Sequence, residues 1–247
     1  MAQFKAAFIN ELFKISKKKK ITAAAVLCLA VIALGAVVSC LAGSFLGLNL
    51  TGRSEFSIML LPIFNYVIIP LFTIFICIEE FGGEYTAGTT KTTLLSPVSR
   101  FKIFSAKICS MGAFILAFLI FAMLVSFITA LIIRQTELNI IGILGAYLIS
   151  FLPLLVVGLM AALISNTVRG SGAAFMLCLI VYLVLKALEL LNPAYSIFFF
   201  TSGLNMYILL SAPLISFAKI FRIVAMLFGY GIMLFCAGYF LFDRKNI

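Results

Sequence analysis

Six long apolar runs, at about 21–43, 58–78, 106–133, 140–164, 172–191 and 223–242, decide what this chain can fold into. A bilayer core about 30 Å thick is crossed by roughly 20 residues of helix, and each run reaches that length. Inside lipid every backbone N–H and C=O must be satisfied within its own segment, so each run is expected to be a helix. Of the 247 residues 64% are hydrophobic and 11% charged, whereas soluble domains carry about 25% charged residues. One globular core cannot hide so much apolar surface. The chain reads as an all-α integral membrane protein, a single domain over 1–247 with six transmembrane helices. Pro62, Pro70 and Pro153 fall inside runs and predict kinks.

The net charge of +10 points first to nucleic acid, but the placement of the basic residues points to topology instead. With the N-terminus inside, the cytoplasmic segments hold Lys5, Lys14, Lys17 to Lys20, Lys91, Arg100, Lys102, Lys107, Arg169, Arg244 and Lys245. The external segments hold only Arg53, Arg134, Lys186, Lys219 and Arg222. That asymmetry places both termini in the cytoplasm, with no nucleic-acid partner. Residues 194–212 are uncharged and long enough for a seventh span, which would put Arg244 and Lys245 outside. A re-entrant hairpin within 193–221, broken at Ser202-Gly203 and closed by Pro213, keeps the charge pattern and is the expectation here.

Ahead of the first run, residues 1–18 place Phe4, Phe8, Leu12 and Ile15 on one helical face and lysines elsewhere. This predicts an amphipathic helix lying in the cytoplasmic interface, ended by a lysine cluster that attracts anionic headgroups. The first apolar run is as long as a full span and reads as a retained anchor rather than a cleaved signal.

Histidine is absent, which excludes Ser-His and Cys-His catalysis and most metal sites. Neither a catalytic residue nor a metal ligand is assigned. The six cysteines stand singly within or beside apolar runs and are expected to be buried, reduced packing residues. Residues Gly82 to Thr93, GGEYTAGTTKTT, come close to a phosphate-binding loop, since Gly83 and Gly88 have its spacing. Yet Thr89 stands where the lysine is required, Lys91 comes two positions late, and an apolar span precedes the motif rather than a strand. Glu79, Glu80 and Glu84 suggest intramembrane proteolysis, but that chemistry needs a base and an orienting partner that this chain lacks.

The longer stretch EEFGGEYTAGTTKTTLLSPVSRFKIFSAK, residues 79 to 107, resembles the first cytoplasmic loop of the type-2 ABC transporter permeases. The matching elements are Glu80 and Glu84, Gly88-Thr89, the run Lys91 to Leu95, Pro97-Val98-Ser99-Arg100, and Lys107. The resemblance implies a coupling loop over 79–105 that meets a separate ATP-binding subunit. Glu79, Glu80, Glu84, Gly88, Thr89, Lys91, Pro97 and Arg100 are the coupling candidates. The carboxylates are expected to pair with basic residues on that subunit or with Lys91 and Arg100 nearby. The loop Ser165 to Ala174 is a lesser candidate contact. The resemblance further implies two cytoplasmic ABC ATPase subunits, which bind the ATP and magnesium, and a second copy or a related permease. The chain also resembles the drug and antimicrobial-peptide branch of bacterial exporters, which implies hydrophobic compounds or membrane-active peptides as cargo.

Polar side chains within spans are costly and are therefore candidates for a transport path. Asn65 and Tyr66 lie between Pro62 and Pro70, and Lys186 and Glu189 stand three apart, able to pair on one helical face. The spans carry no ladder of ionisable residues for an ion relay, which suits apolar or amphipathic cargo. The alternative function is a non-transporting membrane protein that acts as an assembly or sensor partner.

Overall fold

A computed structural model describes residues 2–46, 56–83, 99–133, 139–168, 170–191, 198–211 and 217–244. In chain order it contains α1 (Ala2–Ser16), α2 (Lys19–Leu46), α3 (Phe56–Gly83), α4 (Arg100–Ile132), α5 (Ile140–Thr167) and α6 (Ser171–Leu191). A 3-10 turn (Phe200–Asn205), the short α7 (Met206–Ser211) and α8 (Phe217–Asp243) follow. Among the described residues there is no strand. Among the described residues, helices α2 to α6 and α8 are the six long and apolar enough to cross a bilayer, and each end lies within six residues of the matching end of an apolar run. Between α6 and α8 the described helices, Phe200–Asn205 and Met206–Ser211, are six residues each, shorter than the roughly 20 residues that cross a bilayer.

The spans are apolar nearly all round, and the bundle sorts them by depth rather than by stripe. Helix α3 is the most buried of the six and α8 the least. Helix α3 runs against α4, α5 and α6, while α8 lies along α5 and α4. Side chains such as Val26, Leu124, Leu183 and Ile232 point outward, where lipid is their natural solvent. Small residues set the closest approach. A Cβ on Gly158 of α5 would stand 2.5 Å from Met111 and 3.1 Å from Thr73. The cysteines divide evenly, which corrects the expectation that all are buried. Cys28, Cys77 and Cys178 are buried, whereas Cys40, Cys109 and Cys236 are exposed, since a thiol facing lipid forfeits little. All six are free.

Two of the three prolines accompany a specific change of helix type. Between Pro62 and Pro70 the backbone of α3 widens into a π turn, Phe64–Ile68, closed by Ile69 N–H donating to the Phe64 carbonyl. Pro70 has no N–H, so the Tyr66 carbonyl lacks its ordinary donor four residues on. The Tyr182 hydroxyl of α6 donates to it instead, at 2.8 Å. A second π turn, Glu79–Gly83, ends α3. In α5 the helix is interrupted at Ser150, three residues before Pro153, and Ser150 Oγ donates back to the Ala146 carbonyl at 2.8 Å.

Helix α1 forms as expected, but its apolar face is turned the other way. It runs along α4, with Glu11 and Ile15 buried and Phe4, Phe8 and Leu12 half-buried. The face that the periodicity assigned to lipid is thus largely spent on the protein. Ile9 and Phe13, on the opposite side, are the exposed apolar residues.

Candidate functional site

The candidate residues fall at opposite ends of the bundle. The near end carries α1, the lysine cluster, the end of α3, the start of α4 and the end of α8. The far end carries the 3-10 turn.

At the near end the acidic residues of α3 are engaged within the chain. Glu79 holds Lys18 at 3.2 Å through Oε2 and pairs with Lys20 through Oε1. Lys20 also lies over the Phe75 ring, 3.8 Å from its centroid. Glu80 is 3% exposed, and its backbone carbonyl accepts from Lys107 Nζ at 3.1 Å. Lys107, 1% exposed, also reaches Glu11 Oε2 of α1 at 3.5 Å. A buried ammonium needs such partners, since an unpaired charge in this setting is very costly. Glu11 is shared with Lys14, at 2.9 Å. Arg100 Nη1 donates to the Asp243 carbonyl and stands 4.0 Å from its carboxylate, tying the start of α4 to the end of α8. Beside that tie Phe104 is fully buried among Phe81, Phe235, Tyr239 and Phe242.

The turn between α5 and α6 stands against the end of α3. A Cβ on Gly82 would lie 3.1 Å from Ser165 Oγ and 3.7 Å from the Ser171 backbone. Gly170 has φ +114°, a conformation open to glycine and strained for other residues. Its carbonyl accepts from Ala174 N–H, which starts α6. Glu84, Gly88, Thr89, Lys91 and Pro97 lie outside the described residues.

At the far end the structure brings together Asn65, Tyr66, Lys186 and Glu189. The Glu189 carboxylate accepts from Lys186 Nζ (2.9 Å) and Thr201 Oγ1 (2.9 Å) on Oε2, and from Asn205 Nδ2 (3.1 Å) on Oε1. Lys186 Nζ also donates to the Thr201 carbonyl at 3.1 Å and lies 4.3 Å from the centroid of the Tyr66 ring. Asn65, fully buried, donates through Nδ2 to Ser150 Oγ at 2.8 Å and, more weakly, to the Leu204 carbonyl at 3.4 Å. The 3-10 turn is therefore held by side chains from α3 and α6. On its other side a Cβ on Gly203 would meet Leu227 of α8 at 3.0 Å and Pro153 of α5 at 3.2 Å. Leu227 in turn forms part of the wall of an apolar groove of about 340 Å³ between α4, α5 and α8, which Ile108, Leu155, Phe228, Ile232 and Phe235 also line.

Glu11, Thr201, Asn205, Tyr182 and Ser150 were not singled out from the sequence. Glu11 had a signal, as the one acidic residue in a basic N-terminal segment. Lys107, read above as a cytoplasmic charge and as the end of the loop pattern, turns out to be a buried charge several residues inside α4.

The comparison with known proteins is consistent with a transport subunit. No curated protein matches the chain. The family model described as ABC-2 family transporter protein matches residues 7–189, well over half of the sequence. The match reaches from α1 to Glu189 and leaves the far-end turn, α7 and α8 beyond it. The chain belongs to the ABC-2 family of transporter proteins, a multi-pass membrane component of the kind that works with separate ABC ATPase subunits.

Proposed function

We propose that this chain is the translocating subunit of an ATP-driven bacterial exporter, moving a hydrophobic or amphipathic drug or antimicrobial peptide out of the membrane or cell. Two ATPase subunits bind ATP and magnesium on the cytoplasmic side, where both termini of this chain lie. A second copy or a related permease completes the path, with the outward apolar side chains facing membrane lipid or that partner.

One observation carries the reading: the near end of α3 meets α5 and α6 on either side of the turn that joins them. Gly82, where α3 leads into the loop before Arg100, fits against Ser165 and Ser171 on either side of the α5–α6 turn. Arg100, at the other end of that loop, is tied to the end of α8. A subunit pressing on the loop around 84–96 therefore acts on α3 and α4 directly and on α5, α6 and α8 through contacts already made.

The test is reconstitution with the cognate ATPase. Co-purification, and cargo-stimulated ATP hydrolysis that is lost in Glu84→Ala or Arg100→Gln, is expected. Failure of the purified chain to hold any ATPase subunit sinks the reading and favours an assembly or sensor role.

A further inference from the structure

The far-end cluster has the composition of a cation site. One ammonium is held at once by a carboxylate oxygen at 2.9 Å, a backbone carbonyl at 3.1 Å and an aromatic face at 4.3 Å. These are the three kinds of group that recognise an organic cation when water is scarce. Among the described residues the other donors to Glu189, Thr201 Oγ1 and Asn205 Nδ2, are neutral. The pair is nearly closed to solvent, with Lys186 17% and Glu189 10% exposed at their side chains.

We propose that this is a binding site for the positively charged group of an amphipathic cargo, and that Lys186 is its built-in occupant between cargo molecules. The proposal rests on the exporter reading and names the cargo class as lipophilic cations.

The exchange is physically balanced. Lys186 is five residues from the end of α6, about 7.5 Å along the axis at 1.5 Å per residue. Its four-carbon stem lets the ammonium swing towards the headgroups while the stem stays in apolar surroundings. An incoming cation then takes over the carboxylate and the Tyr66 face, so no buried charge is left unpaired. An anion would meet the carboxylate of Glu189, and a neutral apolar molecule would have nothing to offer it. Beyond the turn lies an apolar surface. The 3-10 turn that carries Thr201 and Asn205 is packed through Gly203 onto Leu227, part of the wall of the 340 Å³ groove.

The experiment uses the full-length chain in detergent and two probes of like shape and opposite charge, tetraphenylphosphonium and tetraphenylborate. The phosphonium is expected to bind the unaltered chain weakly and the borate not at all. Lys186→Met, which removes the internal competitor, is expected to tighten phosphonium binding about tenfold, or about 1.4 kcal/mol. Glu189→Gln is expected to abolish it, and Tyr66→Leu to weaken it about fivefold through the lost ring. Lys186→Arg keeps a cation in place and is expected to weaken the probe, which gives a second test if Lys186→Met does not fold. Equal binding of the two probes, unchanged binding in Glu189→Gln, or no gain in Lys186→Met with no loss in Lys186→Arg overturns the proposal. Because the assay contains no ATPase, cation binding that persists while coupling fails removes the exporter reading and leaves this site standing.

Discussion

Lys107 and Glu11 meet 3.5 Å apart with side chains 1% and 6% exposed, joining the first helix of the chain to the interior of α4. Removing Glu11 leaves the buried Lys107 ammonium with only the Glu80 carbonyl of the contacts described above, and removing Lys107 leaves the buried Glu11 carboxylate with Lys14. Lys107→Met or Glu11→Leu alone is expected to destabilise the protein by about 3 kcal/mol, and the double substitution by clearly less than the sum. Thermal unfolding of the four variants in detergent measures this. Additive losses would mean that the two side chains act separately.

Tyr182 and Pro70 form a second testable pair. Tyr182→Phe removes the hydroxyl that donates to the Tyr66 carbonyl and is expected to cost about 1–2 kcal/mol. In a Pro70→Ala background the helix regains an N–H, and the same change is expected to cost a few tenths of a kcal/mol. Equal costs in both backgrounds would show that the hydroxyl matters for another reason.

Arg100 and Asp243 are half exposed, at 41% and 52% of their side chains, so their tie is expected to contribute less than about 1 kcal/mol. Arg100→Gln should therefore leave the melting temperature within a few degrees of the parent while reducing ATPase stimulation in the reconstituted complex. A large fall in melting temperature would make Arg100 a structural residue first.

Six spans return the chain to the side it started from. Reporter fusions at the two termini are expected to give cytoplasmic signals, and one inserted at 192–197 an external signal. Opposite signals from the two termini would require an odd number of crossings.

Much of the fold was legible because length and apolarity alone decide which segments cross a bilayer, and the six runs needed nothing else. Packing direction was less legible. The Phe4, Phe8, Leu12, Ile15 face reads the same whether it meets lipid or α4, because both are apolar. Glu11, beside that face, is an acid with no reason to face lipid, and it pairs with the buried Lys107. At the far end the spacing of Lys186 and Glu189 showed a pair on one helical face. Thr201 and Asn205 reach that pair only because the chain folds back, and no periodicity encodes a return of that kind. Pro70 was visible as an interruption, but its repair by a tyrosine 112 positions away was not.

Helix α3 carries Tyr66 in one π turn and Glu79 in the other, with Ile69–Ile78 regular between them. Ten residues of α-helix make a stiff rod about 15 Å long, and a π turn is the part of a helix where the ladder is widest. Mechanically this is a connecting rod with a pin at each end. The lysine-bound carboxylate of Glu79 and the Tyr66 ring over Lys186 are thus set at the two ends of one straight segment, with a fixed spacing between them.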